Sequence, residues 1–161
     1  MRAVLAMDTR GGIGRQGVLP WHNSEDLKRF RTLTEASTMV MGSKTFFSLP
    51  INKRPLPGKG RKSIVLTFDP NHSKFDPYRT FENLSIMDAD VFDQCPERGA
   101  AIVIGGAEIF RKFQPDIRTL HLSVFRGDYQ CDTFVRVDFS EWTVLHQEEH
   151  RDHTYYVLEK I

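Results

Sequence analysis

The segment 13–21, together with Asp26 five residues further on, combines residue types that suit a small-molecule pocket. Its glycines allow the backbone to approach a ligand closely, and its proline restricts the loop before the helix begins. Trp21 supplies a large flat wall, and Asp26 supplies a hydrogen-bond acceptor at the edge of the space that the loop covers. This layout predicts an apolar pocket that binds one cationic or donor-rich ring.

Two glycine-containing segments lie where a predicted strand gives way to a predicted helix. They are Gly42-Ser43-Lys44-Thr45 and Gly105-Gly106-Ala107-Glu108. Backbone N–H groups at such helix starts bind phosphate oxygens, so the two segments could hold both phosphates of a dinucleotide. Neither has the G-x-G-x-x-G spacing of the Rossmann fingerprint. Either segment alone could also be an ordinary tight turn.

Asp26 lies near the start of a predicted helix, and its position allows two interpretations. A carboxylate in the first turn can stabilise the helix dipole or complete a cap with Asn23. Alternatively, Asp26 shares a helix face with Leu27 and Phe30, which would partly desolvate a ligand-binding carboxylate. The neighbouring Glu25 would point about 100° away around the helix.

Composition indicates one compact domain. The 161 residues can bury a substantial core, and we expect a single domain over 1–161. The 22 basic and 21 acidic residues are interspersed and give a net charge of +1, which predicts no nucleic-acid or membrane partner. No apolar run approaches the roughly 18 residues of a membrane span. Cys95 and Cys131 lack metal-ligand spacing, so we expect no metal site and two free thiols in a reducing, cytoplasmic compartment. We also expect a monomer.

Apolar periodicity predicts strands that alternate with helices. The predicted helices cover 25–33, 44–49 and 107–113, and a further short strand and helix are expected within 84–98. The first helix begins at Asn23 or Ser24, both good N-cap residues. Strands are predicted at 3–7, 38–41, 63–67, 101–104, 120–125, 135–137, 142–147 and 154–160, with loops at 50–60 and 69–79. This order of strands and helices along the chain predicts an α/β fold with a mixed β-sheet, parallel in the middle with antiparallel C-terminal strands, flanked by about four helices.

The segment 13–21 with Asp26 resembles the dihydrofolate reductase family, in which an Ile-Gly…Pro-Trp loop precedes a helix that carries Asp or Glu. Further blocks occur in the family's order and near its spacings, and together they cover nearly the whole chain. These blocks are Met41-Gly42-Ser43-Lys44-Thr45-Phe46, Arg54-Pro55-Leu56-Pro57-Gly58 with Arg61-Lys62, Ile104-Gly105-Gly106-Ala107-Glu108-Ile109, and Asp132-Thr133. Several blocks in this order are far more specific than any one of them.

The resemblance implies NADPH-dependent reduction of 7,8-dihydrofolate to 5,6,7,8-tetrahydrofolate. This activity supplies one-carbon and thymidylate metabolism and is a target of antifolate inhibitors. The implied catalytic residues are Asp26, Trp21 and Ser123. Asp26 would accept hydrogen bonds from the pterin as the only ionisable side chain there, and Ser123 would bridge Asp26 to the ring. A water would carry the proton to N5, and the loop 11–18 would close over the reacting rings.

The resemblance also implies two sets of binding residues and a cis bond between Gly105 and Gly106. The expected substrate-binding residues are Val4, Leu5, Asp26, Leu27, Phe30, Ser48, Leu49, Arg54, Arg61, Ile104 and Ser123. The expected cofactor-binding residues are Ala6, Ile13, Gly14, Gly17, Val18, Ser43, Lys44, Thr45, Leu66, Thr67, Phe68, Gly105, Gly106, Ala107, Glu108, Ile109 and Phe110.

Arg61 is the expected partner of the glutamate tail of folate, because a guanidinium binds a carboxylate through two parallel hydrogen bonds. The loop before it is two residues longer than the usual family pattern, so Lys59 is the alternative. Arg54 is expected to flank the tail.

Three positions depart from the family pattern near the expected cofactor: Ser43, Phe68 and Glu108. Each reduces positive charge or polarity there, which leaves Lys44 with Thr67 as the main expected contact for an adenosine 2′-phosphate.

Two other functions are compatible with parts of this pattern. A reductase of the same fold that acts on another pyrimidine or pterin, such as that of the riboflavin pathway, would lack the combination of Pro20-Trp21, Asp26 and Arg61. A non-catalytic nucleotide-binding module would not oxidise NADPH when dihydrofolate is added.

Overall fold

The computed structural model describes residues 1–161 and contains an eight-stranded and a two-stranded sheet. The strands are β1 (Arg2–Asp8), β2 (Gly12–Gly14), β3 (Thr38–Gly42), β4 (Lys62–Leu66), β5 (Leu84–Met87), β6 (Ile102–Gly105), β7 (Thr119–Phe125), β8 (Thr133–Phe134), β9 (Trp142–Glu149) and β10 (His153–Lys160). The large sheet has the order β5-β4-β3-β6-β1-β7-β10-β9, and β2 pairs with β8.

Strand pairing in the large sheet is parallel from β5 through β7 and antiparallel where β10 joins β7 and β9 joins β10. The predicted mixed sheet is therefore confirmed. Parallel strands bring their carboxyl ends to one edge, and ligands of such sheets bind outside that edge. Here β1, β3 and β6 end at Asp8, Gly42 and Gly105.

Four α-helices accompany the sheet, as predicted: α1 (Ser24–Thr34), α2 (Ser43–Ser48), α3 (Ala89–Asp93) and α4 (Ala107–Phe113). Of the two N-cap candidates for α1, the structure selects Asn23, whose side chain accepts a hydrogen bond of 2.8 Å from the amide of Asp26. This cap fixes where the helix begins and hence which way its first turn faces. No helix in the chain has the length and apolar character that a bilayer span requires.

Two groups of buried side chains form the core. The larger group lies around β1 and α4, and the smaller group lies around β3 and α2. Strand β1 contributes alternate residues, since successive strand side chains point to opposite faces. Its core residues are Ala3, Leu5 and Met7.

The structure corrects two sequence-based predictions. No strand forms at 135–137; Val135 and Val137 instead pack partly buried against the larger core group, so their alternation reflects burial without a strand. The predicted loop at 69–79 contains a 3-10 helix, Ser73–Tyr78, in which Phe75 is completely buried. One buried aromatic residue within a polar stretch is too weak a periodic signal to predict this helix.

Candidate active site

Asp26, in the first turn of α1, is tied to the large sheet by Ser123 of β7. Its Oδ1 accepts a hydrogen bond of 2.6 Å from the Ser123 hydroxyl. Ser123 is buried, and 19% of the Asp26 side chain is exposed. The bond joins two of the residues for which the sequence predicted a catalytic role.

The register of the sheet places Ser123 beside Ala6. The two residues are direct partners in the parallel pairing of β1 with β7. Neighbouring strands lie about 4.8 Å apart, and direct partners project their side chains to the same face. A ligand ring held over Ala6 would therefore lie next to a ring bound by Asp26.

Val4 and Leu5, which were both predicted to line the ring site, lie on opposite faces of β1. Val4 and Ala6 are half-buried on one face, whereas Leu5 belongs to the core on the other. The prediction that the Leu5 side chain lines the ring site is therefore wrong. The face could not be chosen from the sequence, because every residue of β1 from Ala3 to Met7 is apolar.

The other apolar wall residues come from separate elements. Phe30, Leu49 and Ile104 all pack, partly buried, against the smaller core group. Leu27 is exposed on α1. Ser48 is also exposed, and its hydroxyl donates a 2.6 Å hydrogen bond to the carbonyl of Thr45 within α2.

Trp21 packs against two aromatic rings beside the loop 11–18. It stacks on Phe125 with ring centroids 4.9 Å apart and meets Tyr129 edge-on at 5.1 Å. Its indole Nε1 is buried and has no hydrogen-bond partner within the chain. Because buried donors normally have a partner, this N–H is a candidate for binding a ligand atom or a water.

Arg29 is a charged group at this site that the sequence analysis missed. Its Nη1 lies 3.0 Å from Asp26 Oδ1, and only 15% of its side chain is exposed. The prediction that Asp26 is the only ionisable side chain at the ring is therefore wrong. Residues three positions apart on a helix are neighbours, so the spacing of Asp26 and Arg29 is the signal that could have identified the pair.

Arg61 lies at the other end of α1. Its guanidinium donates to Thr34 Oγ1 at 2.5 Å and to the Pro57 carbonyl at 2.7 Å, and the residue is 7% exposed. Burial, and secondarily the charge of Arg31, lowers the pKa of Arg61. Eight positions separate Asp26 from Thr34, which corresponds to about 12 Å along the helix axis.

The other two basic candidates for the tail differ from Arg61 in their surroundings. Lys59 is exposed in the preceding loop. Arg54 is turned towards the end of α2, where it donates to the carbonyls of Leu49 at 2.7 Å and Phe47 at 2.6 Å and to the Tyr78 hydroxyl at 3.2 Å. Arg54 therefore supports the end of this helix, a role that the sequence analysis did not predict.

A cleft of about 460 Å³ opens where the two glycine-containing turns meet. A Cβ added to Gly106 would lie 3.3 Å from Thr45 Oγ1, and one added to Gly42 would lie 3.1 Å from the side chain of Ile109. Neither α2 nor α4 has a side chain that caps its N-terminus. The predicted cofactor residues that line the cleft are Ser43, Lys44, Thr45, Leu66, Thr67, Phe68, Gly106, Ala107, Glu108 and Ile109.

The cleft also includes residues that the sequence analysis did not select: Gly42, Ala89, Lys112 and Thr133. Lys112 follows Glu108 by four positions on α4, a spacing that places both on one helix face and could have identified it. Two lysines, Lys44 and Lys112, thus face this cleft together with one carboxylate. Phe68 is fully exposed beside them.

The remaining predicted cofactor residues lie elsewhere. The bond between Gly105 and Gly106 is cis, as the resemblance implied. Phe110 is 2% exposed and packs in the larger core group, and its place beside the cofactor stays a prediction. Ala6 lies half-buried on β1. The others belong to the loop 11–18 and are Ile13, Gly14, Gly17 and Val18.

The loop 11–18 is fixed at its base and at one side. Asp8, which is fully buried, accepts hydrogen bonds from the amides of Arg10 at 2.9 Å and Gly12 at 2.8 Å. The amide of Gln16 donates to Asp132 Oδ2 at 2.8 Å, and this bond is the main reason why the pKa of Asp132 is lowered. Val18 and its neighbours at the tip are exposed.

Comparisons with known proteins agree with this geometry. The family described as dihydrofolate reductase matches residues 1–159. The chain is 35% identical over 175 residues to dihydrofolate reductase type 8 of Escherichia coli, covering 99% of this chain and 95% of the relative. It is 33% identical over 147 residues to dihydrofolate reductase of Bacillus subtilis, covering 91% and 82%.

Two further comparisons extend this result. The chain is 35% identical over 147 residues to the bifunctional dihydrofolate reductase-thymidylate synthase of Zea mays; the match covers 80% of this chain but spans only 27% of that protein. The solved structure of dihydrofolate reductase from Enterococcus faecalis, complexed with NADP(H) and RAB-propyl, has a TM-score of 0.76 at 28% identity, covering 99% of this chain and 95% of that one. With a family match over nearly its whole length, the chain belongs to the dihydrofolate reductase family.

Proposed function

We propose that this chain reduces 7,8-dihydrofolate to 5,6,7,8-tetrahydrofolate with NADPH and that Asp26 binds the pterin ring. One observation carries the proposal: Asp26 is held at 2.6 Å by Ser123, which is the direct sheet neighbour of Ala6. A carboxylate acceptor for ring N–H groups thus lies beside the strand residue over which the nicotinamide is expected. Membership of the dihydrofolate reductase family supports the same reaction.

The two ends of α1 suit the two ends of a folate. Asp26 Oδ1 accepts from Ser123 and Arg29, whereas Oδ2 has no protein donor and is available to the ring. Arg61, bound to Thr34 at the far end, provides the cation for the glutamate carboxylate. Phe30 lies between them on the helix, and the Arg61 guanidinium is 5.9 Å from the centroid of its ring.

The cleft between the glycine-containing turns fits a dinucleotide. Side chains at Gly42 or Gly106 would crowd the opposite turn, so glycine keeps the backbone amides accessible to phosphate. Lys44 and Lys112 supply the positive charge for a 2′-phosphate. When bound, NADPH supplies the hydride that reduces C6 of the pterin.

The residues of the chain contribute positioning and electrostatics. Asp26 favours positive charge that develops on the pterin during reduction. Its carboxylate binds the ring at the end remote from N5, so we infer that a water carries the proton to that atom. The free N–H of Trp21 is available to orient such a water. The loop 11–18 excludes bulk water from the reacting rings when it closes.

We further infer a monomeric, single-domain protein that acts in the cytoplasm without a nucleic-acid partner. The near-neutral net charge supports the last point. The eight-stranded sheet that runs from the first strand to the last supports the single domain.

The proposal is tested by adding dihydrofolate to the protein and NADPH and following NADPH oxidation. We expect steady turnover that requires both compounds, and no oxidation with the pyrimidine substrate of the riboflavin-pathway reductase. NADPH binding without dihydrofolate-dependent oxidation would indicate a non-catalytic module. Turnover of the riboflavin-pathway pyrimidine alone would assign the chain to that reaction instead.

A further inference from the structure

The hairpin between β9 and β10 meets the first turn of α1 through a closed ring of hydrogen bonds. Asn23 accepts at Oδ1 from the amide of Asp26 at 2.8 Å and donates from Nδ2 to Asp152 Oδ2 at 2.7 Å. Asp152 Oδ1 lies 2.7 Å from Nδ1 of His153. The Nε2 of His153 lies 3.3 Å from Nη1 of Arg29, which lies 3.0 Å from Asp26 Oδ1. The ring thus holds the backbone of Asp26 through Asn23 and its carboxylate through Arg29.

Every contact in this ring joins a donor to an acceptor. A guanidinium can only donate, so Nε2 of His153 accepts from Arg29 and the proton of the neutral imidazole is on Nδ1. The Nδ1–H donates to Asp152, and this bond is the main reason why the pKa of Asp152 is lowered from its ordinary 3.8. Asp152 therefore stays ionised near neutral pH and holds His153 in the tautomer that Arg29 requires.

Arg29 is also enclosed outside the ring. Only 15% of its side chain is exposed, and its Cζ lies 4.2 Å from the centroid of the Tyr155 ring. Its Nη2 lies 3.1 Å from Nε2 of His150, whose Nδ1 lies 3.0 Å from Glu25 Oε2. A long side chain has many conformations when it is free, and these contacts restrict Arg29 to one of them.

His153 has a second set of contacts, through the faces of its ring. The residue is fully buried, and it stacks between Phe125 at 4.7 Å and His150 at 4.6 Å. Phe125 in turn stacks on Trp21 at 4.9 Å. A test of the hydrogen bond from Arg29 must therefore separate it from the packing of this stack.

We propose that His153 is a positioning residue that acts through Arg29 to orient the Asp26 carboxylate. The inference rests on the proposed function, in which Asp26 binds the pterin. Ser123 and Arg29 both donate to Oδ1, and together they fix the rotation of the carboxylate so that Oδ2 faces the ring. A carboxylate that rotates freely would stabilise the positive charge that develops on the pterin less well, because catalysis depends on groups already held in place.

Two substitutions of His153 separate its two hydrogen bonds. The amide of asparagine reaches the place of Nδ1, so His153→Asn can keep the bond to Asp152 but loses the one from Arg29. The amide of glutamine reaches the place of Nε2, so His153→Gln can accept from Arg29 but loses Asp152. Both variants remove the ring from the stack, and the loss of stacking is common to them.

Steady-state kinetics compares the two variants. The kcat/KM for dihydrofolate should be at least about fivefold lower in His153→Asn than in His153→Gln, because only the former loses the bond from the guanidinium. The KM for NADPH should be the same in both. His72→Asn, at the exposed N-cap of the 3-10 helix Ser73–Tyr78, is the control and should leave kcat/KM unchanged.

A double-mutant comparison tests the route through Arg29. In an Arg29→Leu background, the difference between His153→Asn and His153→Gln should disappear, since no guanidinium is left to donate. A difference that persisted there would overturn the proposal. Equal kcat/KM of the two single variants, or a lower value in His153→Gln, would also overturn it, because a purely structural role anchored at Asp152 or in the stack predicts those results.

The unaltered protein provides a measurement that does not depend on a variant folding. The ¹⁵N resonances of His153 near neutral pH should show a protonated Nδ1 and an unprotonated Nε2. A proton on Nε2, in the other tautomer or in the imidazolium, would overturn the proposal, because Nε2 could not then accept from Arg29. Turnover of dihydrofolate without the expected difference between the variants would refute this inference alone, whereas absence of turnover in the unaltered protein would refute the proposed function.

Discussion

Ser123 donates a 2.6 Å hydrogen bond to Oδ1 of Asp26 and also lies beside Ala6 in the register of the sheet. One buried hydroxyl therefore sets the position of the carboxylate relative to the strand over which the nicotinamide is expected. Because β7 is paired on both sides, with β1 and with β10, Ser123 gives Asp26 a rigid support. The orientation of a substrate ring at Asp26 consequently depends on Ser123.

Replacing Ser123 with alanine should weaken dihydrofolate binding by about 1.5–3 kcal/mol, the range for a hydrogen bond to a charged group. NADPH binding should hardly change, because the cofactor cleft does not use this hydroxyl. Calorimetric titration of each ligand measures both effects. Ser140→Ala, an exposed substitution remote from α1, is the control. Unchanged dihydrofolate affinity would show that Asp26 does not need this support.

Arg61→Leu should weaken dihydrofolate binding by roughly 1.5–3 kcal/mol through loss of a charge-assisted contact to the tail. Binding of a dihydropterin that lacks the glutamate tail should be unaffected. This ligand is the control for structural damage, because Arg61→Leu also removes the hydrogen bonds of Arg61 to Thr34 and Pro57. Lys59→Leu is the matched control. If Lys59→Leu reproduced the loss and Arg61→Leu did not, Lys59 would be the tail residue.

Lys44→Gln should raise the KM for NADPH far more than the KM for NADH, because only NADPH carries the 2′-phosphate. Glu108→Gln removes the opposite charge from the same cleft and should lower the KM for NADPH. Steady-state kinetics with each cofactor measures both ratios. Equal effects of Lys44→Gln on the two cofactors would show that Lys44 does not contact the 2′-phosphate.

Asp132→Ala should accelerate hydrogen exchange at the amide of Gln16, since the 2.8 Å bond to Asp132 holds this part of the loop 11–18. The pKa of Asp132 is lowered from its ordinary 3.8, first by that amide and then by Thr133. Because the pKa of Asp132 is lower in the folded protein than in the unfolded chain, the bond stabilises the folded state fully at pH values above the ordinary pKa. This stabilisation is lost as the pH falls through the pKa of the folded state. Exchange should therefore be measured near neutral pH.

The matched control for this substitution is Asp138→Ala, whose carboxylate bonds only to nearby Ser140. It should leave exchange at Gln16 unchanged. If Asp132→Ala also left that exchange unchanged, the bond would not restrain the loop.

The sequence predicted much of the framework, because its signals are local. Apolar runs identified most strands of the large sheet, and Asn23 was one of two N-cap candidates for α1. The segment 135–137 shows the limit of this approach: its alternating valines pack against the core without a partner strand. Alternation records burial, whereas a strand also requires a neighbour to pair with.

The site was predictable only in part, since its contacts join distant segments. Asp26 was a candidate from residue types and spacing, whereas Ser123 came from the family resemblance alone, and the structure brings them together. The surroundings of Arg29 were not predictable, because His150 and His153 lie more than a hundred positions away and no periodic pattern links them to α1. Leu5 was misassigned because the continuous apolar run from Ala3 to Met7 does not reveal which face of β1 meets a ligand.

The kcat/KM of Asp26→Asn at neutral pH tests the central claim most directly. Asparagine keeps the shape of the side chain but lacks the charge that supports a protonated pterin in the transition state. We expect kcat/KM to fall by at least about 10²-fold, or ~2.7 kcal/mol, with NADPH binding intact. Part of the activity should return as pH falls, because solvent then supplies protonated substrate. Near-wild-type kcat/KM at neutral pH would contradict the assignment of Asp26 as the catalytic carboxylate.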